Sequence, residues 1–294
     1  MFKVITLIFI AVVLLIAVLK RKEYNEFILE HKRDVFIPIL APFGFYVLDK
    51  LKLYKRMPRF VAGVHQKAIM LRGSRYAETY TRIHLAKVIV TTVIGILITL
   101  LVAGNSEEGI NTNGLIFGIV FTFVLTIAQA KSLNTKVKKR KEDIIIELPE
   151  FVNKVILLVN AGDTVQGAFQ KCLQKNRKRI HTSPWYYELN EAMNKLSTNA
   201  TFQDVMKELN LRCSVQEVSV FTTTIMMNYR RGGKQLVDSL QDLSKNLWEK
   251  RKTITKIKGE EASSKMLFPL MIVFVAVMML IIYPAVASFM FGQN

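Results

Sequence analysis

The chain is poor in the residues that usually reveal chemistry. Its 294 residues include two cysteines, Cys172 and Cys213, and four scattered histidines, His31, His65, His84 and His181. Two cysteines with no Cys/His neighbours at ligand spacing make no metal site and read as small apolar core residues. No G-x-x-x-x-G-K-[ST] loop is present. The nearest approach, Gly232-Gly233-Lys234-Gln235, lacks the first glycine and the Ser/Thr. H-E-x-x-H and G-x-S-x-G are also missing. These absences point away from an enzyme and from any cofactor. Basic residues are missing from most of the apolar sequence too, because only Lys3 and Lys87 fall outside residues 20–82 and 131–265.

What is present is a basic, apolar chain. It is 51% hydrophobic and carries a net charge of +18. Residues 20–82 hold 14 Lys/Arg against 6 Asp/Glu, and residues 131–265 hold 25 against 15. The basic residues are not interleaved with base-reading or stacking residues, so nucleic acid is not the expected partner. They flank four apolar runs instead: Phe2–Leu19, Ile83–Ala103, Asn113–Ala130 and Met266–Ser288. Basic loops stay in the cytoplasm, so the pattern predicts a multi-pass protein of the cell membrane with its polar mass inside. On that reading residues 1–19 are an N-terminal anchor and 20–82 a basic cytoplasmic helical segment. Residues 83–130 are a transmembrane hairpin with an external acidic tip, 131–265 a cytoplasmic helical bundle and 266–288 a C-terminal span. Four spans place both termini outside.

Residues 35–48, VFIPILAPFGFYVL, are apolar but short and interrupted by Pro38, Pro42 and Gly44. A run of that length is interfacial, re-entrant or, if it crosses, a fifth span that moves the N-terminus inside. The expected spans carry no Asp, Glu or Arg, which weakens the alternative reading of a small transporter or channel subunit with a cytoplasmic regulatory bundle.

From Glu147 to Gly259 the punctuation is helical throughout, and no segment alternates with period two. Leu148, Phe151, Val152, Val155 and Val159 recur at helical spacing, with Pro149 in the first turn. Ala161-Gly162 supplies a left-handed stop, and Asp163-x-x-Gln166 resembles a capping box. Ser183-Pro184 is a cap before a first-turn proline, and Ser214-Val-Gln-Glu217 reads as another capping box. Leu236, Leu240, Leu243 and Leu247 form a stripe, and that helix is expected to run on through Lys256 into the last span. The fold class is therefore all-α, with about four transmembrane helices and an antiparallel bundle of five or so helices. The Gly232-Gly233 pair reads as a helix–helix turn, because no strand precedes it.

Three elements in order resemble a known family. Glu147-Leu-Pro-Glu-Phe-Val-Asn-Lys-Val-Ile-Leu-Leu-Val-Asn-Ala-Gly162 is similar to the opening of the type II secretion F domain. Arg231-Gly-Gly-Lys-Gln-Leu-Val-Asp-Ser-Leu240 resembles its second glycine element. Gly259-Glu-Glu-Ala-Ser-Ser-Lys-Met-Leu-Phe-Pro269, leading to Pro284-Ala285, resembles the version found in tight-adherence (Tad/Flp) pilus platforms, and leans towards the C-type rather than the B-type paralogue.

The resemblance implies an inner-membrane platform that couples a secretion ATPase to pilin extraction and pilus assembly or type II secretion. It implies as partners that ATPase, a pilin, the lipid bilayer, and a second F-domain platform protein or self-association, because only one F domain is present. Gly162, Gly232 and Gly233 are the expected structural turns. Arg177, Lys178 and Arg179, together with Arg230 and Arg231, are the candidate ATPase contacts.

Overall fold

The computed structural model describes residues 2–30, 38–50, 57–104, 112–198, 200–229 and 233–291. Among them the chain forms eleven α-helices and one 3-10 turn, with no strand. The helices are α1 (Phe2–Leu19), α2 (Arg21–Glu30), α3 (Ala41–Lys50), α4 (Pro58–Arg72), α5 (Ser74–Ala103) and α6 (Thr112–Asn160). They continue with α7 (Val165–Lys175), α8 (Pro184–Leu196), α9 (Phe202–Cys213), α10 (Gln216–Asn228) and α11 (Gly233–Phe291). The chain divides into two units, Met1–Lys141 and Glu142–Asn294.

Among the described residues three helices are long and apolar enough to cross a membrane, over Tyr76–Ala103, Gly114–Asn160 and Lys234–Pro284. The other expected span is the apolar helix α1, described in full side-chain detail only over Thr6–Leu19. In the ambiguous apolar run, residues 35–37 lie outside the described residues. Pro38–Leu40 is a turn, and the ten-residue α3 follows. Ten residues of helix rise only ~15 Å, half the ~30 Å of a hydrocarbon core.

In the first unit α3 and α5 form one small core around Tyr24, Phe45, Ile83 and Ala86, and a second joins Leu48, Val61, Val64, Leu85 and Leu133. The Asp49 carboxylate binds this region together, accepting from the Tyr24 hydroxyl and the Arg82 guanidinium, each at 2.7 Å. Further along, α5 meets the start of α6 through a reciprocal pair of Gly-x-x-x-Thr steps. A Cβ on Gly95 would lie 2.7 Å from the Thr122 methyl, and one on Gly118 would lie 2.6 Å from the Thr99 methyl. Only hydrogen at those positions admits so close an approach. The hydroxyls of Thr99 and Thr122 meet at 3.0 Å, and those of Thr92 and Thr126 at 3.2 Å. Small residues and hydroxyls at a helix contact are how apolar helices associate where lipid removes the hydrophobic drive.

The second unit is built on large side chains. Phe151, Phe169, Trp185 and Phe221 are fully buried, and Phe151 sits 5.1 Å from both Phe169 and Trp185, edge to face. Around them close Ile144, Leu148, Val152 and Val155 from α6, Leu189 from α8, Leu209 from α9 and the α11 stripe Leu236, Leu240, Leu243 and Leu247. Cys172 and Cys213 are thiols buried in this core, and burial pushes the Cys172 thiol up. The bundle continues without a break into the apolar C-terminal stretch, because α11 is one helix of 59 residues with Pro269 and Pro284 inside it.

Three local expectations are corrected. Leu148-Pro149 does not open a helix, since Pro149 lies inside α6. Proline removes one i→i−4 bond, but the buried stripe on both sides of it holds the register. The cap of α7 is Thr164, whose hydroxyl accepts from Gly167 N at 3.1 Å, while Asp163 binds Lys171 at 2.6 Å. Ser214 is not a cap for α10; it adopts a left-handed φ of 51° at the end of α9, and Val215 starts the next helix without a side-chain cap. Its hydroxyl is spent on the Leu211 carbonyl, and Glu217 faces Lys250 at 3.7 Å.

Candidate functional site

Within the bundle, the α7–α8 connection concentrates charge of one sign. The 24 residues from Thr164 to Tyr187 contain five Lys/Arg and no Asp or Glu. Lys171 is paired with Asp163. The remaining four, Lys175, Arg177, Lys178 and Arg179, lie at the end of α7 and on the 3-10 turn Arg177–Arg179.

That turn is fixed from within. Arg179 N donates to Asn176 O at 2.9 Å, and Ser183 N donates to Arg179 O at 2.8 Å. The Asn176 amide closes on the Cys172 carbonyl at 2.8 Å. Glu147 on α6 then clasps both ends, accepting from the Arg179 guanidinium at 2.8 Å and from the Ser183 hydroxyl. The same Ser183 oxygen accepts from Tyr186 N and so caps α8. The Arg179 guanidinium lies 5.0 Å from the centre of the Tyr186 ring and 4.0 Å from Glu150. Glu150 is held below the usual carboxylate range by its hydrogen bond from Lys154. Burial pushes the Tyr186 hydroxyl up to about 12.

The expected contact residues therefore separate. Arg177 and Lys178 are exposed, and their side chains make no hydrogen bond or ion pair among the described residues. Arg179 turns inward to Glu147. Arg230, Arg231 and Gly232 lie outside the described residues, and Gly233 is the first residue of α11. Gly162 has φ +95°. Gly162 N bonds to Val159 O and Asp163 N to Leu158 O, each at 3.0 Å, which completes a Schellman stop that only glycine enters without strain. Sequence reasoning missed Glu147 as the clasp. Ser183 was legible as a cap, but its second bond joins residues 36 apart and has no local signature.

The arrangement offers exposed cations on a hydrogen-bonded turn. No nucleophile–base pair lines it, and among the described residues no group of three or more His, Cys, Asp and Glu side chains could hold a metal.

Residues 151–284 match the family model of type II secretion system protein F. The protein F match covers a little under half of the chain. It starts at Phe151 in the buried stripe of α6 and ends at Pro284 in the apolar part of α11, so it takes in most of the bundle and the stretch that follows it. No curated protein and no solved structure matches the chain.

Proposed function

We propose that this protein is a membrane platform of a type IV-like pilus, of the tight-adherence kind, in which the bundle couples a cytoplasmic secretion ATPase to the extraction and assembly of pilin. The observation that carries the reading is the protein F match over residues 151–284, combined with a bundle that passes in one helix into an uncharged apolar segment. The basic stretches 20–82 and 131–265 support a cytoplasmic location for the bundle, and the same charge pattern supports α1 as a fourth span. With a single F domain, the platform would be completed by a second F-domain protein or a second copy. Its role is to transmit force and hold partners, not to catalyse a reaction.

Two measurements test this. Deleting the gene should abolish surface pili, or the secreted product of the machine, and the full-length gene should restore them. Unchanged pili and secretion in the deletion strain would remove the reading. Single-cysteine labelling should find position 105 accessible to an impermeant reagent from outside intact cells and position 178 accessible only after lysis. Lys178 serves as the inner reporter because it is exposed.

A further inference from the structure

We infer that the turn Lys175–Thr182 is a preorganised docking surface for an acidic patch on a cytoplasmic protein. In it Lys175, Arg177 and Lys178 make the contact, while Arg179 positions them. The inference rests on the cytoplasmic placement of residues 131–265 proposed above.

Three observations carry it. The first is charge: three exposed cations within four residues have no pairing partner among the described residues, in a stretch of 24 residues without a carboxylate. Other exposed cations of the same bundle stand beside acids, as in the Lys207–Asp204 and Lys245–Asp242 pairs on α9 and α11. The second is rigidity. Glu147, with only 18% of its side chain exposed, holds Arg179 and Ser183 together, so the backbone between them is fixed before any partner arrives. Ordering costs are then met in folding rather than in binding.

The third is position, which separates a protein partner from a lipid surface. On α11, Lys258 stands opposite Glu142 and Asp143, and Ser244 opposite Asn153. Glu147 therefore lies level with about residue 252, roughly 14 residues before the uncharged stretch that begins at Met266, or ~21 Å along a helix axis. A headgroup layer takes up ~5–7 Å of that, and the remainder exceeds the ~8 Å Debye length at physiological salt. The turn is too far from the bilayer to be held there by anionic lipid. An acidic protein surface is the chemistry that fits, and electrostatic complementarity would speed its encounter.

The test uses the full chain in phosphatidylcholine nanodiscs with a fluorescein-labelled oligoglutamate as probe. Arg177→Glu with Lys178→Glu should weaken binding by about tenfold or more, the factor that ~1.4 kcal/mol produces. The control, Lys207→Glu with Lys245→Glu, makes the same change of −4 in net charge and should leave affinity within about threefold, because those exposed pairs contribute little. Equal losses in the two variants, or no loss in either, would overturn the docking site. Arg179→Gln should lower the melting temperature yet keep the salt dependence of binding, whereas Arg177→Gln with Lys178→Gln should flatten it. A flattened salt dependence in Arg179→Gln would refute the division of roles. A fluorophore at Lys178→Cys should be unquenched by headgroup-labelled lipid in phosphatidylglycerol discs; the native thiols are buried and stay unlabelled. Strong quenching would make the membrane the partner and end the proposal. None of these readouts depends on pili, so the platform reading can fail or stand separately.

Discussion

The α5–α6 contact of the first unit and the bundle of the second hold their helices together by opposite means. At the contact between α5 and the start of α6, glycine lets a threonine methyl sit where a Cβ would be, and hydroxyls meet at 3.0 and 3.2 Å. In the bundle, four fully buried aromatic rings do the same task with ring centres 5.1–6.1 Å apart. The difference is the one expected if the α5–α6 contact lies in hydrocarbon and the bundle in water, as the apolar character of α5 and the start of α6 supports. In water, burying large apolar side chains is the dominant gain. In hydrocarbon that gain disappears, and what remains is close backbone approach with hydroxyl contacts. The side chains at a helix contact therefore report the medium around it.

The largest test of that contrast is in the bundle. Phe221→Ala removes a ring that packs on Phe151, Phe169 and Trp185, and should cost about 3–5 kcal/mol. Thermal unfolding of the full chain in detergent, followed by circular dichroism, should show the bundle transition falling while the residual helix of the apolar segments persists. Loss of both together would mean that the two packings are not independent.

The hairpin has the inverse sensitivity: adding bulk should harm it. Gly118→Leu drives a side chain into Thr99 and should cost about 1–3 kcal/mol through overpacking. Its readout is cysteine cross-linking between α5 and α6, which should drop while the bundle melt stays put. An unaltered cross-linking yield would show that the close approach contributes little.

The smallest effect is a pH dependence confined to the bundle. The Tyr186 hydroxyl is buried with no hydrogen-bond partner among the described residues, and its folded pKa is raised to about 12 by burial. A raised folded value means the neutral form is favoured by folding, so stability is intact below the unfolded value of about 10 and falls as pH rises towards 12. Tyr186→Phe should remove this alkaline loss and stabilise the bundle by about 1 kcal/mol at pH 7, by eliminating a buried unpaired group. Melting temperatures at pH 7, 9 and 11 for both proteins check the sign.

What was legible in sequence tracks the range of the signal. The Leu236–Leu247 stripe, the Ala161-Gly162 stop and the Ser183-Pro184 cap were all readable because each is decided within a few residues. The run of α11 into its apolar stretch was readable for the same reason. Pro149 and the Ser214–Glu217 box misled because tertiary packing overrode local preference: a stripe buried on both sides carries α6 through its proline, and α9 ends in a left-handed serine. The reciprocal Gly95/Thr122 and Gly118/Thr99 contacts need the register of two helices, which neither sequence states alone. The basic turn was visible as a cluster, but arginine looks the same whether it faces solvent or Glu147, so the split between Arg177 and Arg179 required coordinates.

The continuity of α11 has a mechanical consequence. Below Lys258, which is tied to Glu142 and Asp143, residues Gly259–Lys265 are all exposed, and the uncharged stretch begins at Met266. Over this neck, ~10 Å long, α11 is held by its backbone hydrogen bonds and by the Lys256–Glu260 ion pair at 3.9 Å. The neck starts at a glycine, the least helix-favouring residue after proline. It ends at the Lys265 carbonyl, which has no helical donor because Pro269 lacks an N–H. In a force-transmitting platform of the kind proposed, such a shaft would carry thrust and rotation along its axis better than bending.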